Sequence, residues 1–189
     1  MKDVLFIDNY DSYSYNILQM LEESGASFDI ILHDVLDDLA LSNYNSVIIS
    51  PGPGLPNEYP IHGRVIQHCM INEKKYLGIC LGLQSLVCFF KGELQNLITP
   101  SHGIRKSIHI HKDSEIFTGI PSHTNVGLYH SWYADDLHLP KCLQITATSE
   151  DGIIMAVQHE SLPLYAVQFH PESFMSEYGN QLLKNWLKL

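Results

Sequence analysis

The stretch Gly78-Ile79-Cys80-Leu81-Gly82 constrains this chain more than any other. Before it, Lys75-Tyr76-Leu77-Gly78-Ile79 reads as a short apolar strand; after it, Leu83 to Phe90 reads as a helix. A turn tight enough to join the two, with a side chain lifted at its centre, needs glycine on both sides, because only glycine tolerates the close backbone contacts. The pattern therefore predicts a buried strand, an elbow and a helix, in that order. The residue at the elbow is cysteine. A thiol there faces the N-terminus of the following helix, whose dipole and free N–H groups favour a thiolate, and the chemistry this suggests is acyl transfer. Taken alone, a free cysteine in apolar surroundings is as readily a piece of core.

Strand and helix alternate through the whole first half. Asp3 to Asp8 is an apolar strand, and an amphipathic helix from about Ser12 to Glu23 stops at Gly25. Further strands cover Phe28 to Leu32 and Ser46 to Ser50, the second leading into Pro51-Gly52-Pro53-Gly54-Leu55-Pro56, and a helix covers Ile61 to Glu73. Continuous apolar strands separated by helices predict an α/β fold with an open, mostly parallel sheet flanked by helices. After Gly92 the pattern changes: Ile104–Ile110, Asn125–Tyr129, Leu143–Thr148, Ile153–His159 and Leu164–Phe169 are short β-rich runs punctuated by Gly, Pro and Asp, so strands are added in the second half and make the sheet mixed. A helix over Glu177–Leu187 follows. With no repeat, linker or low-complexity tract, the 189 residues read as one domain over 1–189.

The net charge of −10 argues against nucleic acid or an anionic membrane surface as partner, since both need clustered cations. The opening Met1-Lys2-Asp3 to Asp8 carries acidic residues where a signal peptide needs an uninterrupted apolar core, and Tyr76–Phe90 is too short to span a bilayer. Four cysteines without a C-x-x-C pair read as reduced thiols in a cytoplasmic protein. No metal site is expected: His109 and His111 alternate on one strand face but lack a third ligand at zinc-like spacing, and Asp34, Asp37 and Asp38 read as a solvated helix face.

In open α/β sheets, ligands gather beyond the carboxyl ends of the strands. Pro51-Gly52-Pro53-Gly54, Cys80 and His170-Pro171-Glu172-Ser173 all fall at such ends, so they are expected to converge on one crevice. A thiol nucleophile needs a base, and the base needs a third group to fix its tautomer. His170 precedes proline and is pushed toward extended backbone, where residues two apart point the same way; Glu172 is thereby placed beside its ring. The glycines at 52 and 54 let backbone N–H groups approach a ligand as an oxyanion hole requires, although the tetrapeptide alone reads equally as a rigid turn.

These segments, in this order, resemble the triad (class I) glutamine amidotransferases, and more closely the glutaminase component (component II) of anthranilate and aminodeoxychorismate synthases. The matching pieces are Phe6-Ile7-Asp8-Asn9-Tyr10-Asp11-Ser12-Tyr13, Ile49 to Pro56, Leu77 to Gln84, His102-Gly103, Tyr129-His130-Ser131-Trp132 and Val167-Gln168-Phe169-His170-Pro171-Glu172-Ser173. The resemblance implies a flavodoxin-like sheet and a Cys80–His170–Glu172 triad acting on L-glutamine. It further implies an oxyanion hole from the backbone at Gly52, Gly54 and Leu81, and a substrate grip from Gly52, Pro53, Gly54, Gln84, Ser131 and Trp132. No cofactor is implied in this chain; chorismate and Mg²⁺ belong to a large synthase subunit, the expected partner in a heterodimer or heterotetramer. Leu83, Trp132 and Ile104-Arg105 depart from the family pattern. The tail from Glu172 to Gln181 is slightly nearer the para-aminobenzoate branch. Glutaminases serving guanylate, carbamoyl-phosphate or imidazole-glycerol-phosphate synthesis, and a cysteine hydrolase of the same fold, are the alternatives.

Overall fold

In the computed structural model, residues 3–111 and 114–189 are described, without the side chains of Asp38 and Leu39. Met1-Lys2 of the leader reading and the Asp38 side chain lie outside the described residues. Among the described residues, nine strands form one sheet in the order β2-β1-β3-β4-β9-β8-β7-β5-β6. β1 (Val4–Asp8), β2 (Phe28–Leu32), β3 (Ser46–Ile49) and β4 (Lys75–Ile79) pair in parallel, and β4 also pairs in parallel with β9 (Leu164–Val167). From β9 outward, β8 (Ile154–His159), β7 (Leu143–Ser149), β5 (Leu94–Ile110) and β6 (His123–Ala134) are antiparallel. The mixed sheet expected from the change of pattern after Gly92 is the one found.

The parallel strands are apolar on both sides because both faces are covered. Val4, Phe6, Ile48, Leu77 and Ile79 pack with Ile17 and Leu21 of α1 (Ser14–Ser24) and with Leu182 and Trp186 of α5 (Gly179–Lys188). The alternate residues Leu5, Ile7, Val47, Ile49 and Tyr76 pack with Ile61, Val65 and Ile66 of α3 (Pro60–Ile71) and with Leu83 and Leu86 of α4 (Leu81–Phe89). Alternation along each strand thus feeds two cores, one per face. Trp186 is fully buried, and its indole N–H donates to the Tyr76 carbonyl at 3.3 Å, tying the last helix to the strand before the elbow. α1 ends as expected at Gly25, whose φ of 76° gives the left-handed cap that glycine adopts without penalty.

Three local expectations change. α2 (Asp38–Leu41) is a four-residue helix, and Asp34 is not on it: Asp34 sits in the turn after β2 and accepts a bond from the Tyr10 hydroxyl at 3.0 Å. β5 begins at Leu94 rather than Ile104, because its first half is a mostly exposed polar ribbon with register shifts between Asn96 and Ser101 and between His102 and Ile104, which erase the alternation. α4 starts at Leu81, earlier than Leu83, which makes Cys80 the residue capping the helix. No helix among the described residues is long and apolar enough to cross a membrane.

Candidate active site

Cys80 is held at φ 53°, ψ −99°, a left-handed conformation that a residue with a Cβ rarely adopts. The strand before it and the helix after it determine this. Its N–H donates to the Val167 carbonyl at 2.8 Å, continuing the β4–β9 ladder, while its carbonyl accepts from Gln84 N–H at 3.2 Å in the first turn of α4. The flanking glycines are required sterically. A Cβ on Gly78 would stand 2.5 Å from the Gly82 carbonyl carbon, and one on Gly82 would stand 2.8 Å from the Ile49 carbonyl oxygen. Glycine at both positions lets the elbow fold flat against β3, so Cys80 projects beyond the strand end.

His170 arrives from the other side of β4. Its N–H donates to the Gly127 carbonyl at 3.0 Å, and its ring is walled edge-on by Tyr13 and Tyr129, with centroids 5.7 and 4.9 Å away. Nδ1 lies 2.6 Å from Glu172 Oε1, and both residues are buried. The sequence places this pair correctly but for another reason: the chain turns after His170, with Ser173 N–H donating back to the His170 carbonyl at 3.2 Å, and Glu172 reaches the ring from within that turn. Burial pushes His170 down, yet the Cys80 sulfur and the Glu172 carboxylate outweigh it and hold the imidazole well above its ordinary value. Nε2 is buried without a hydrogen bond of ordinary geometry, and the sulfur is the group that acts on it.

Gly52 and Pro53 line two adjoining cavities that share Cys80, His102 and Tyr129. One, about 280 Å³, also contains Asp11, Tyr13 and His170. The other, about 380 Å³, contains Gly54, Glu58, Gln84, Ser131 and Trp132. A larger hollow of about 630 Å³ bounded by Ile110, His111, Glu115 and Thr118 brings no thiol to an imidazole. The three sequence segments expected to converge therefore do so around one sulfur.

The 50–54 loop is fixed by side chains from three elements. Asn9 N–H donates to Ser50 Oγ and Asn9 Nδ2 to the Ser50 carbonyl, both at 2.9 Å. Ser50 Oγ donates to the Pro51 carbonyl at 2.7 Å, and the Tyr59 hydroxyl to the Pro53 carbonyl at 2.8 Å. A Cβ on Gly52 would lie 2.6 Å from Asn9 Cβ and 2.8 Å from Leu81 Cδ2, so glycine lets this loop close onto the nucleophile helix. As the first residue of α4, Leu81 has no intrahelical partner for its N–H.

Gln84 is buried, and its amide nitrogen is engaged twice: with the Trp132 carbonyl at 2.9 Å and with Gln168 Oε1 at 3.4 Å. Its free group is therefore the oxygen. The Trp132 carbonyl also lies 3.0 Å from His130 Nδ1, and Ser131 Oγ lies 3.3 Å from His102 Nε2. Asp11, Tyr13, Tyr129 and His102 stand in the segments that carry the resemblance, without an expected role, and join the lining. Burial raises the Asp11 carboxyl, opposed by the Tyr13 N–H and the His170 charge. Buried His62, 2.8 Å from Ser85 Oγ and 2.9 Å from Asn9 Oδ1, was likewise passed over. His109 and His111, the pair read from the sequence, are both exposed, and His109 stacks on His123 with ring centroids 4.5 Å apart. Among the described residues, Glu93, Asp135 and His138 bring three donors within 4.8 Å. None of them lines either cavity at Cys80, and His138 Nδ1 already meets the Asp135 carboxylate at 2.5 Å.

A mixed α/β sheet with a cysteine elbow facing a His–Glu pair defines a class of enzyme, and comparison with known proteins agrees. The glutamine amidotransferase class-I family matches residues 5–189. The chain belongs to that family. A Haemophilus influenzae protein provisionally named anthranilate synthase component II is 39% identical over 186 residues, 98% of this chain and 96% of that one. The aminodeoxychorismate/anthranilate synthase component 2 of Bacillus subtilis is 35% identical over 187 residues, 98% and 95% of the two chains. Among solved structures, a Thermoplasma acidophilum protein provisionally named as one of the subunits of GMP synthase superposes with a TM-score of 0.88 at 24% identity, covering 100% of this chain and 94% of its own; it bears on the fold alone.

Proposed function

We propose that this chain is the glutaminase subunit of a chorismate-converting synthase, hydrolysing L-glutamine at Cys80 and passing the ammonia to a large partner subunit. The observation that carries the reading is the meeting of the strained Cys80 with the His170–Glu172 pair in a cavity also bounded by Gly52 and Pro53.

The Cys80 sulfur attacks the side-chain amide carbon of glutamine; the S–C bond forms and the carbonyl electron pair moves to oxygen. N–H groups of Gly52, Gly54 and Leu81 receive that oxyanion, and an oxyanion donor typically lowers the barrier by about 3–4 kcal/mol. His170 gives its Nε2 proton to the departing nitrogen, the C–N bond breaks, and ammonia leaves a γ-glutamyl thioester. Water then adds with its proton going to His170, the S–C bond breaks, and glutamate is released. Glu172 keeps the imidazole oriented and holds the proton on its Nδ1 throughout. Gln84 Oε1 accepts from the substrate α-ammonium, and main-chain groups at Ser131 and Trp132, with the 52–54 loop, bound the α-carboxylate end.

Ammonia must reach the acceptor before it is protonated in bulk water, which requires a closed path across an interface. The acceptor site, with chorismate and Mg²⁺, belongs to the partner. Near full-length similarity to component II proteins supports this acceptor class. Four free cysteines fit a reducing compartment such as the cytoplasm.

A diazo-ketone analogue of glutamine tests the reading. One label per chain, on Cys80, is expected; labelling elsewhere, or none with the partner present, overturns it. Identifying the product made from chorismate by the co-purified complex distinguishes anthranilate from aminodeoxychorismate.

A further inference from the structure

Gln168 stands two residues before His170, in the bent segment that follows β9. It is fully buried, and its backbone N–H donates to the Met155 carbonyl at 2.9 Å, which prolongs the β8–β9 pairing to this residue. Its side-chain nitrogen lies 3.5 Å from Cys80 Sγ. The amide cannot be turned round: Gln84 Nε2 donates to Gln168 Oε1 at 3.4 Å, and Gln84 is itself anchored on the Trp132 carbonyl at 2.9 Å. With its oxygen fixed by one neighbour, Gln168 must present its N–H to the sulfur.

We infer that Gln168 is a further catalytic residue of this site, donating a hydrogen bond to the Cys80 sulfur and favouring the thiolate that attacks. The inference rests on the glutaminase reading above for what the thiolate does, and on geometry alone for the contact. A neutral thiol is a weak acceptor, so a buried amide aimed at one is poorly satisfied; aimed at a thiolate, the same bond is charge-assisted and strong. A primary amide also suits the position because it does not titrate. It can stabilise negative sulfur without competing with His170 for the proton. When sulfur forms its bond to the amide carbon, charge leaves it for the oxyanion and the Gln168 bond weakens; when water cleaves the thioester, the S–C electron pair returns to sulfur and the bond is restored. Because Gln84 also faces the substrate cavity, the nucleophile's donor and the substrate grip share one hydrogen-bonded chain, Trp132–Gln84–Gln168–Cys80.

The test is the pH dependence of Cys80 alkylation by iodoacetamide, followed peptide by peptide in the full chain for the parent, Gln168→Leu and Gln168→Met. Removing the donor is expected to slow Cys80 alkylation roughly tenfold at pH 7, with the rates converging at high pH where the thiolate forms regardless. Gln168→Met, of similar length and without a donor, is expected to be equally slow. Cys88 and Cys142 serve as internal controls and should react unchanged. Superimposable profiles for parent and Gln168→Leu overturn the proposal, as does a slowing by the same factor at every pH, which would mean altered access. Should leucine loosen the core so that Cys88 and Cys142 react faster, Gln168→Met decides: a parental profile there overturns the proposal. Alkylation needs no glutamine, so a shifted profile in a protein that releases no ammonia would leave Gln168 as the thiolate donor while removing the glutaminase reading.

Discussion

His62 Nε2 on α3 lies 2.9 Å from Asn9 Oδ1, the central link of a relay that runs from Ser85 on the nucleophile helix through His62 and Asn9 to Ser50 at the start of the facing loop. Asn9 directs its amide nitrogen to the Ser50 carbonyl, so its oxygen must face His62 and His62 must carry its proton on Nε2. Nδ1 is then the acceptor for the Ser85 hydroxyl at 2.8 Å, on α4 beside Gln84. Tyr59 stacks on the ring at 4.9 Å and reaches the Pro53 carbonyl. His62→Phe keeps the bulk but leaves Asn9 Oδ1 and Ser85 Oγ buried and unpaired, at about 1–3 kcal/mol each. We predict a loss of about 2–4 kcal/mol at pH 7 by urea unfolding. Turnover should also fall about 10–100-fold with KM little changed, as the 50–54 loop drifts from its position. An unaltered kcat would show that the loop holds its place without this clamp.

The same histidine makes stability depend on pH. Burial, with the charge of His33, lowers His62 from 6.5 to about 3; burial lowers His130 to about 4 against the opposing bond from Nδ1 to the Trp132 carbonyl. As pH falls through 6.5 the unfolded chain takes up protons that the folded chain refuses, so stability is present above that pH and is lost as pH falls toward 3–4. Each group contributes a slope of about 1.4 kcal/mol per pH unit at most. His170 behaves oppositely: its folded value is raised, so its contribution is full below 6.5 and declines as pH rises through that value. The stability gap between parent and His62→Phe is therefore expected to narrow by about 3 kcal/mol between pH 6.5 and 4, read by denaturant unfolding at each pH. A constant gap would mean His62 is not held neutral.

Gly52→Ala tests the loop more directly. The added methyl would stand 2.6 Å from Asn9 Cβ, which is fixed to its backbone, and 2.8 Å from Leu81 Cδ2, a side-chain tip that can swing clear. The loop must move off Asn9, shifting its N–H groups relative to that of Leu81. Glutamine turnover should drop about 10²–10³-fold, as loss of one such donor does. Labelling of Cys80 by a small alkylator should remain near the parent rate, because the thiol itself is untouched. Equal losses in both assays would place the damage at the elbow instead.

What the sequence disclosed and what it hid follow from the range of the interactions. The elbow was legible because Gly78 and Gly82 are local requirements, and β1, β3 and β4 because burial on both faces leaves unbroken apolar runs. The first half of β5 was not, since an exposed bulged ribbon has no period, and four-residue α2 is shorter than the pattern that identifies a helix. Glu172 was placed beside His170 from extended geometry, yet a turn brings it there. Gln168 was hidden because the chain bends at Gln168 and Phe169, where strand periodicity no longer says which side chains converge. His62 could not: its partners Asn9 and Ser85 lie 53 and 23 positions away, and only the folded sheet brings them together.

Glu172→Gln separates orientation from charge. Glutamine can still present an oxygen to Nδ1–H where Glu172 Oε1 now lies at 2.6 Å, so the ring keeps its place. Without the carboxylate, burial is opposed only by the sulfur, and His170 gives up its proton more readily. At pH 7.5 the leaving nitrogen then lacks its acid, and ammonia release should fall about 10²–10⁴-fold, the range a positioned proton donor contributes. Lowering the pH from 7.5 toward 6 should restore part of the activity of Glu172→Gln, whereas the parent, already protonated, should gain nothing. Ammonia release by the complex with its partner subunit, measured across that range for both proteins, reads the difference. If Glu172→Gln turns over glutamine within a few-fold of the parent at pH 7.5, the carboxylate does not hold the proton, and His170 must draw its basicity from the sulfur alone.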